Sequence, residues 1–186
     1  MGRLVLLALG MTLNPSLHLR DVEGIERYPL KVDKGHAEAL FFIAEDCPIS
    51  NYYSQEIRRI CDAYRARGVG CSLVYVDPTL SDAAAAKHAQ EYGHGAYPKI
   101  VDRNHALVEA TGATITPEAV VIAPNETIAY RGRIDDSYVS LGKKRRVVTE
   151  FDLRDALDAV LTGKPASRAE VQAVGCYISP LSAYQH

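Results

Sequence analysis

The order of apolar runs along this chain predicts an α/β domain with a mixed central sheet and helices on both of its faces. Two observations carry that reading. Ala37 to Ala44 and Val69 to Val76 are apolar runs of strand length, the pattern of strands buried on both faces. Helical spacing recurs outside them, first at Ile57, Ile60, Cys61 and Tyr64, then at Leu153, Leu157, Val160 and Leu161. Strand and helix in alternation pair in parallel through right-handed crossovers, and a late hairpin adds antiparallel strands.

Each element has its own signals. Pro48 opens the first helix, where a missing amide is tolerated, and Gly68 stops it. Asp77-Pro78 closes the second strand, and Ser81 caps a helix that runs to about Tyr92 and ends at Gly93. Pro98 to Val101 reads as a short strand, and Asn104 to Thr111 as a short helix stopped by Gly112. Ala119 to Ala123 and Ile128 to Arg131 make a hairpin around Pro124-Asn125-Glu126. Residues 132–149 read as a polar loop before the last helix, which Gly163 and Pro165 end. The tail is weakly patterned until Gly175-Cys176-Tyr177-Ile178. The expected division is residues 1–19 as a signal peptide or N-terminal arm, 20–163 as the domain, and 164–186 as a tail carrying Cys176. No repeat or low-complexity segment interrupts it.

Composition narrows the function classes. The chain has 186 residues, 47% apolar and 24% charged, enough to bury one proper core. A formal net charge of −2 gives no field that gathers nucleic acid or anionic lipid. The basic run Lys143 to Arg146 has no aromatic interleaving and reads as a solvated loop. At the N-terminus, Arg3 followed by apolar Leu4 to Leu13 resembles an export signal, although no Ala-x-Ala cleavage site follows. That stretch is too short to span a bilayer. The alternative is an N-terminal strand or ordered arm, and a cytoplasmic protein.

Cys47, Cys61, Cys71 and Cys176 are too scattered for a disulfide scaffold, so each is read from its setting. Cys47 follows the first buried strand and starts the first long helix. Free amides and the helix dipole there favour an anion, so the thiol ionises more readily and becomes a nucleophile. Cys61 shares an apolar helix face and Cys71 lies inside a strand, so both read as core packing. Cys176 is the candidate resolving thiol. The thirteen residues from Gly163 reach up to roughly 40 Å when extended, enough to fold back past the last helix, and Gly175 permits a close approach. The alternative is an unrelated thiol in a loose tail. Thr116-Pro117, entering a strand, is a candidate cis peptide. Arg133 and Asp135 leave the last strand at the edge of Cys47. They set its ionisation, receive a partner chain, or cap the loop.

The runs FFIAEDCPISNYYSQEI, VYVDP, GATITPE and YRGRIDD resemble the redoxins, thioredoxin-like and peroxiredoxin-related proteins. The resemblance covers roughly residues 20–178. It implies a thioredoxin fold and a thiol–disulfide oxidoreductase of antioxidant character, with Cys47 attacking a disulfide and Cys176 or an external thiol resolving it. It further implies a cis-proline beside Cys47, with Thr116 and Pro117 offering backbone groups to an incoming chain. No cofactor is implied, and the partners are protein thiols and disulfides or a small thiol reductant. There are two departures. Ser50 stands where thioredoxins have their second cysteine, and Leu40 and Ala44 stand where peroxiredoxins have proline and threonine. The alternatives are a thiol peroxidase, or a metal-binding or partner-docking module. A copper-binding branch of the fold uses two cysteines and a histidine, which makes His88 and His94 the histidines to examine.

Overall fold

The structure, a computed structural model, describes residues 13–184. Most of the expected export signal lies outside the described residues. A small hairpin of β1 (Leu19–Arg20) and β2 (Glu26–Arg27) comes first. Next come β3 (Ala37–Ile43), α1 (Pro48–Arg65), β4 (Val69–Tyr75), α2 (Asp82–Glu91), β5 (Lys99–Val101) and α3 (Ala106–Thr111). Then follow β6 (Ile115–Thr116), β7 (Glu118–Ile122), β8 (Ile128–Gly132), β9 (Tyr138–Ser140), β10 (Lys143–Lys144) and α4 (Asp152–Leu161). Two short tail strands, β11 (Glu170–Val171) and β12 (Cys176–Tyr177), close the order.

The central sheet has the order β11-β8-β7-β3-β4-β5. β3, β4 and β5 are parallel neighbours, and β7 runs antiparallel to both β3 and β8. Period-two alternation divides each central strand between two cores. Phe41 and Ile43 of β3, Leu73 and Tyr75 of β4, and Ala119 and Val121 of β7 face a cluster shared with α1, α2 and α4. Leu40, Phe42, Val74, Val120 and Ile122 face the other side, where Leu107 of α3, Leu13 and Leu30 cover them. The predicted mixed sheet with helices on both faces is present. No described helix is long and apolar enough to cross a membrane.

Two readings change, and the alternative of a loose tail falls. The segment expected as a polar loop, 132–149, contains the β9–β10 hairpin. It also buries Asp135, Asp136, Ser137 and Tyr138. Polar composition misled there because the buried acids carry their own partners. Asp136 accepts from the amide and hydroxyl of Thr149 at 2.8 and 2.6 Å and pairs with Arg145 at 3.0 Å. The tail is not loose, since β11 adds to the sheet edge beside β8 in parallel. Cys61 and Cys71 are not plain core packing but are joined as a disulfide. The physical reason is the tight return at Gly68, whose φ of +88° brings the start of β4 back under the last turns of α1. The two Cα atoms lie 5.9 Å apart, inside the range a disulfide needs.

Glu38 is the odd residue in β3. Its carboxylate accepts from Ser72 Oγ at 2.7 Å. Burial pushes the carboxyl up to about 7, against the pull of Ser72 and the charge of Arg27. Its folded value lies above its unfolded one, so its contribution to stability is full below the unfolded value and is lost as pH rises through about 7. Glu38→Gln removes that loss. Relative to the parent, the variant is expected to gain about 1–2 kcal/mol between pH 5 and pH 9 in urea unfolding, and a pH-independent difference would contradict this.

The Cys61–Cys71 bond closes a loop over a sequence separation of 10. In the loop-entropy account a closure of that size is worth about 3 kcal/mol. The Cys61→Ala/Cys71→Ala protein is therefore expected to unfold at lower urea, with stability reduced by about 2–3 kcal/mol. Equal midpoints for the two proteins would show that the bond adds nothing.

Candidate functional site

The buried β3 delivers the chain to a turn at Ala44–Asp46, and α1 starts immediately after it. Cys47 occupies the N-cap of α1 with extended backbone (φ −82°, ψ 110°), and Pro48 takes the next position. The Asn51 amide donates to the Cys47 carbonyl at 3.0 Å, closing the first helical turn. The first turn of α1 carries no acidic residue, so no carboxylate competes for its free amides. Cys47 is 1% exposed, so its sulfur is an enclosed group.

Two segments from elsewhere in the chain close around that sulfur. The first is β6, which ends at Thr116; the Thr116–Pro117 peptide is cis. As a thiol, Cys47 donates to the Thr116 carbonyl at 3.3 Å. The second is the tail strand β12, which pairs antiparallel with β6, Cys176 opposite Thr116 and Tyr177 opposite Ile115. The Ile178 amide donates to the Thr114 carbonyl at 3.0 Å, and Thr116 Oγ1 reaches the Cys176 carbonyl at 3.4 Å. The Cys47 and Cys176 sulfurs lie 2.8 Å apart.

Glycine makes this approach geometrically available at two places. A Cβ on Gly175 would collide with the Thr116 carbonyl, and a Cβ on Gly132 would collide with the Val171 carbonyl. The tail therefore lies against β8 and then β6 at distances that side chains at those positions would forbid.

The two thiols are polarised in opposite directions. Burial opposes ionisation of Cys47. The Cys176 thiol, the amide and hydroxyl of Ser50, and the side chain of Thr116 outweigh it, leaving Cys47 below the ordinary cysteine value. Cys176 is pushed up to about 12 by burial, by its bond to Cys47, and by the charges of Cys47 and Asp46. Cys47 is thus the more readily ionised thiol of the pair, and Cys176 the one that holds its proton. Ser50, which replaces the second cysteine of the usual motif, thus supplies donors to the first.

Other site candidates from the sequence take different places. Arg133 does not reach the sulfurs. Its Nε binds Asp152 at 2.6 Å, and its guanidinium also binds Glu150. Arg168 of the tail joins the same two acids, at 2.7 Å to Asp152 and 3.2 Å to Glu150. The four charges fasten the base of the tail to the start of α4. Asp135 accepts from the Tyr53 hydroxyl at 2.7 Å and the Ser137 amide at 2.8 Å, holding the 132–149 segment against α1. Asp135 is drawn away from Cys47 because α1 rises 1.5 Å per residue, which carries its partner Tyr53 below the helix tip.

His88 is engaged at both ring nitrogens, by the Tyr75 hydroxyl and by Asn51 Oδ1, each at 2.9 Å. Burial holds its imidazole below the ordinary value, hence neutral. Asn51 Nδ2 then donates to the Glu45 carbonyl at 2.9 Å, so a hydrogen-bonded chain ties the Cys47 turn to α2. His94 is buried, and burial with neighbouring His88 and Arg58 pushes it down to about 4. Sequence reasoning missed that chain and the Cys61–Cys71 bond. A helix cysteine and a strand cysteine on either side of one tight turn are the signal that would have found the bond.

Comparison with known proteins places the fold. No family model matches the chain, and no curated protein matches it. Among solved structures, an uncharacterized conserved protein from Geobacillus kaustophilus is 27% identical with a TM-score of 0.77, covering 95% of this chain and 94% of its own. A hypothetical protein from Sinorhizobium meliloti is 26% identical with a TM-score of 0.75, covering 92% and 94%. A thiol:disulfide interchange protein of the thioredoxin family from Chlorobium tepidum is 19% identical with a TM-score of 0.59, covering 83% and 98%. The last likeness shows the fold alone, and with the sheet order above it establishes a thioredoxin fold.

The polarised pair has a spectroscopic consequence. On titration of the reduced protein, thiolate absorbance near 240 nm is expected to rise in one step below the ordinary cysteine value of about 8.5, and to vanish in Cys47→Ser. Loss of that early step in Cys176→Ser with its retention in Cys47→Ser would reverse the assignment.

Proposed function

We propose that this chain, a thioredoxin-like protein, is a thiol–disulfide oxidoreductase whose redox pair is Cys47 and Cys176. One observation carries the reading: the two sulfurs stand 2.8 Å apart at the N-terminus of α1, although 129 positions separate them in sequence. Distant segments converge on a sulfur pair where helix amides favour a thiolate. Closing the bond joins Sγ to Sγ, and two electrons and two protons leave to an external disulfide, which becomes two thiols. Opening it reverses each transfer.

The roles follow from the polarisation. Cys47 carries the negative charge while the pair is reduced and leaves as thiolate when the bond opens, and lower-pKa thiols leave faster. Cys176 hydrogen-bonds that thiolate and is its covalent partner. The Thr116 carbonyl lies 3.3 Å from the Cys47 sulfur, and the cis bond to Pro117 follows it; on this reading these two residues take the place beside the redox pair. Arg133 and Asp135 serve the site at one remove, by fixing the tail base and the 132–149 segment. The substrate class is thiols and disulfides, on proteins or small molecules. The Cys61–Cys71 bond supports an oxidising, extracytoplasmic setting, where such bonds persist.

Exchange kinetics test this reading directly. Turnover of a dithiol substrate is expected to disappear in Cys47→Ser and to fall at least about tenfold in Cys176→Ser. Parent-rate turnover in Cys176→Ser would make Cys47 a monothiol. Rapid peroxide consumption without dithiol exchange would move the protein to the peroxidase class.

A further inference from the structure

We infer that the external thiol meets this redox pair at Cys176, the tail sulfur, and that Cys47 is the leaving group behind it. The inference rests on the redox-pair reading above and specifies which sulfur carries the partner.

Access separates the two sulfurs. Cys47 is 1% exposed and enclosed by Thr116, Ser50 and the tail itself. Cys176 is only partly buried, and its neighbour Tyr177 is 81% exposed. The tail strand also occupies the edge of β6, in register with Thr116 and Ile115. An extended partner chain would need that edge for backbone pairing, and β12 already uses it. A partner entering the docked protein therefore finds Cys176 first and finds the β6 edge beside it already taken. The matching partner class is a thiol of low molecular weight, or a protein cysteine presented on an exposed tip.

The chemistry closes on this geometry. An external thiolate attacks Cys176 Sγ, a new sulfur–sulfur bond forms there, and the Cys47–Cys176 bond breaks. Its electron pair leaves on Cys47 Sγ, which the Ser50 donors stabilise as thiolate. A second external thiolate attacks the partner's sulfur in the mixed disulfide. Cys176 is released and takes up a proton, and the two external thiols depart as a disulfide. The pair has gained two electrons and the external thiols have lost two.

Gly175 offers a way to change access without touching sulfur. A Cβ there meets the Thr116 carbonyl, so Gly175→Ala forces the tail off β6. The experiment starts from the oxidised full-length protein, with the Cys47–Cys176 bond verified by peptide mass spectrometry. Excess reduced glutathione is added briefly, the reaction is acid-quenched, free thiols are blocked with N-ethylmaleimide, and the digest is mapped. The expected species carries glutathione on Cys176 and N-ethylmaleimide on Cys47, in at least tenfold excess over the reverse. In Gly175→Ala the excess is expected to shrink several-fold as Cys47 becomes accessible. Glutathione mainly on Cys47 in the parent overturns the inference while leaving the redox pair standing. An excess unchanged in Gly175→Ala overturns the claim that the docked tail directs attack. Absence of the Cys47–Cys176 bond before glutathione is added overturns the underlying reading and the inference together.

Discussion

The contact between β12 and β6 is the constraint on which the site depends. It is only two residues long on each strand, yet it sets the Cys176 sulfur against Cys47 and covers the tip of α1. So short a pairing is marginal alone. It is held by what comes before it in the tail. Arg168 is clamped by Asp152 and Glu150, which also hold Arg133, and β11 then runs along β8. Ala173 is buried, and Val174 packs against the core that α1 and α4 share. The tail thus reaches the sulfur already ordered, and little further entropy is lost in placing the last strand.

Polarisation of the pair follows from the same arrangement. A thiolate at a helix N-terminus gains from free amides, but enclosing it costs solvation. Here the donors that offset the cost come from three separate segments: Ser50 from α1, Thr116 from β6 and Cys176 from the tail. Cys176 is affected in the opposite sense, because the charge it steadies disfavours a second one beside it. Below the turn, the Tyr75–His88–Asn51 chain ends on the Glu45 carbonyl and holds the loop that presents Cys47. With both nitrogens of His88 hydrogen-bonded, that histidine serves as structure beneath the thiol.

Much of this was legible in the sequence, for identifiable reasons. β3 and β4 are buried on both faces, so their apolar runs stood out, and Ser81 signalled α2 through a cap whose Oγ accepts from Ala84 at 3.1 Å. Cys47 announced itself by its place between a buried strand and Pro48. The return of Cys176 followed from the length of the tail and the glycine before it. Its docking as a strand was not legible, because a two-residue strand carries no periodicity. Cys61 was hidden for the opposite reason, since it sits on the same apolar face as Ile57 and Ile60 and imitates them. For Arg133 and Asp135 the sequence left three roles open and could not choose among them, because it shows the edge where a strand ends and not the partners, Asp152 and Tyr53, waiting there.

The placement of sulfur along α1 has a mechanical consequence. The helix has one cysteine at its tip and another near its far end, the second already tied to β4. Once the first is joined to Cys176, tension between the two chain ends passes from residues before 47 straight to residues after 176. The intervening segment, with α1, β4, β7 and β8, falls outside the line of force. A pulling machine gripping residues 177–186 would meet a covalent stop at once, and the same machine would find a detachable strand in the reduced protein. Oxidation state would thereby decide whether the fold is unravelled from its end or resists as a closed ring.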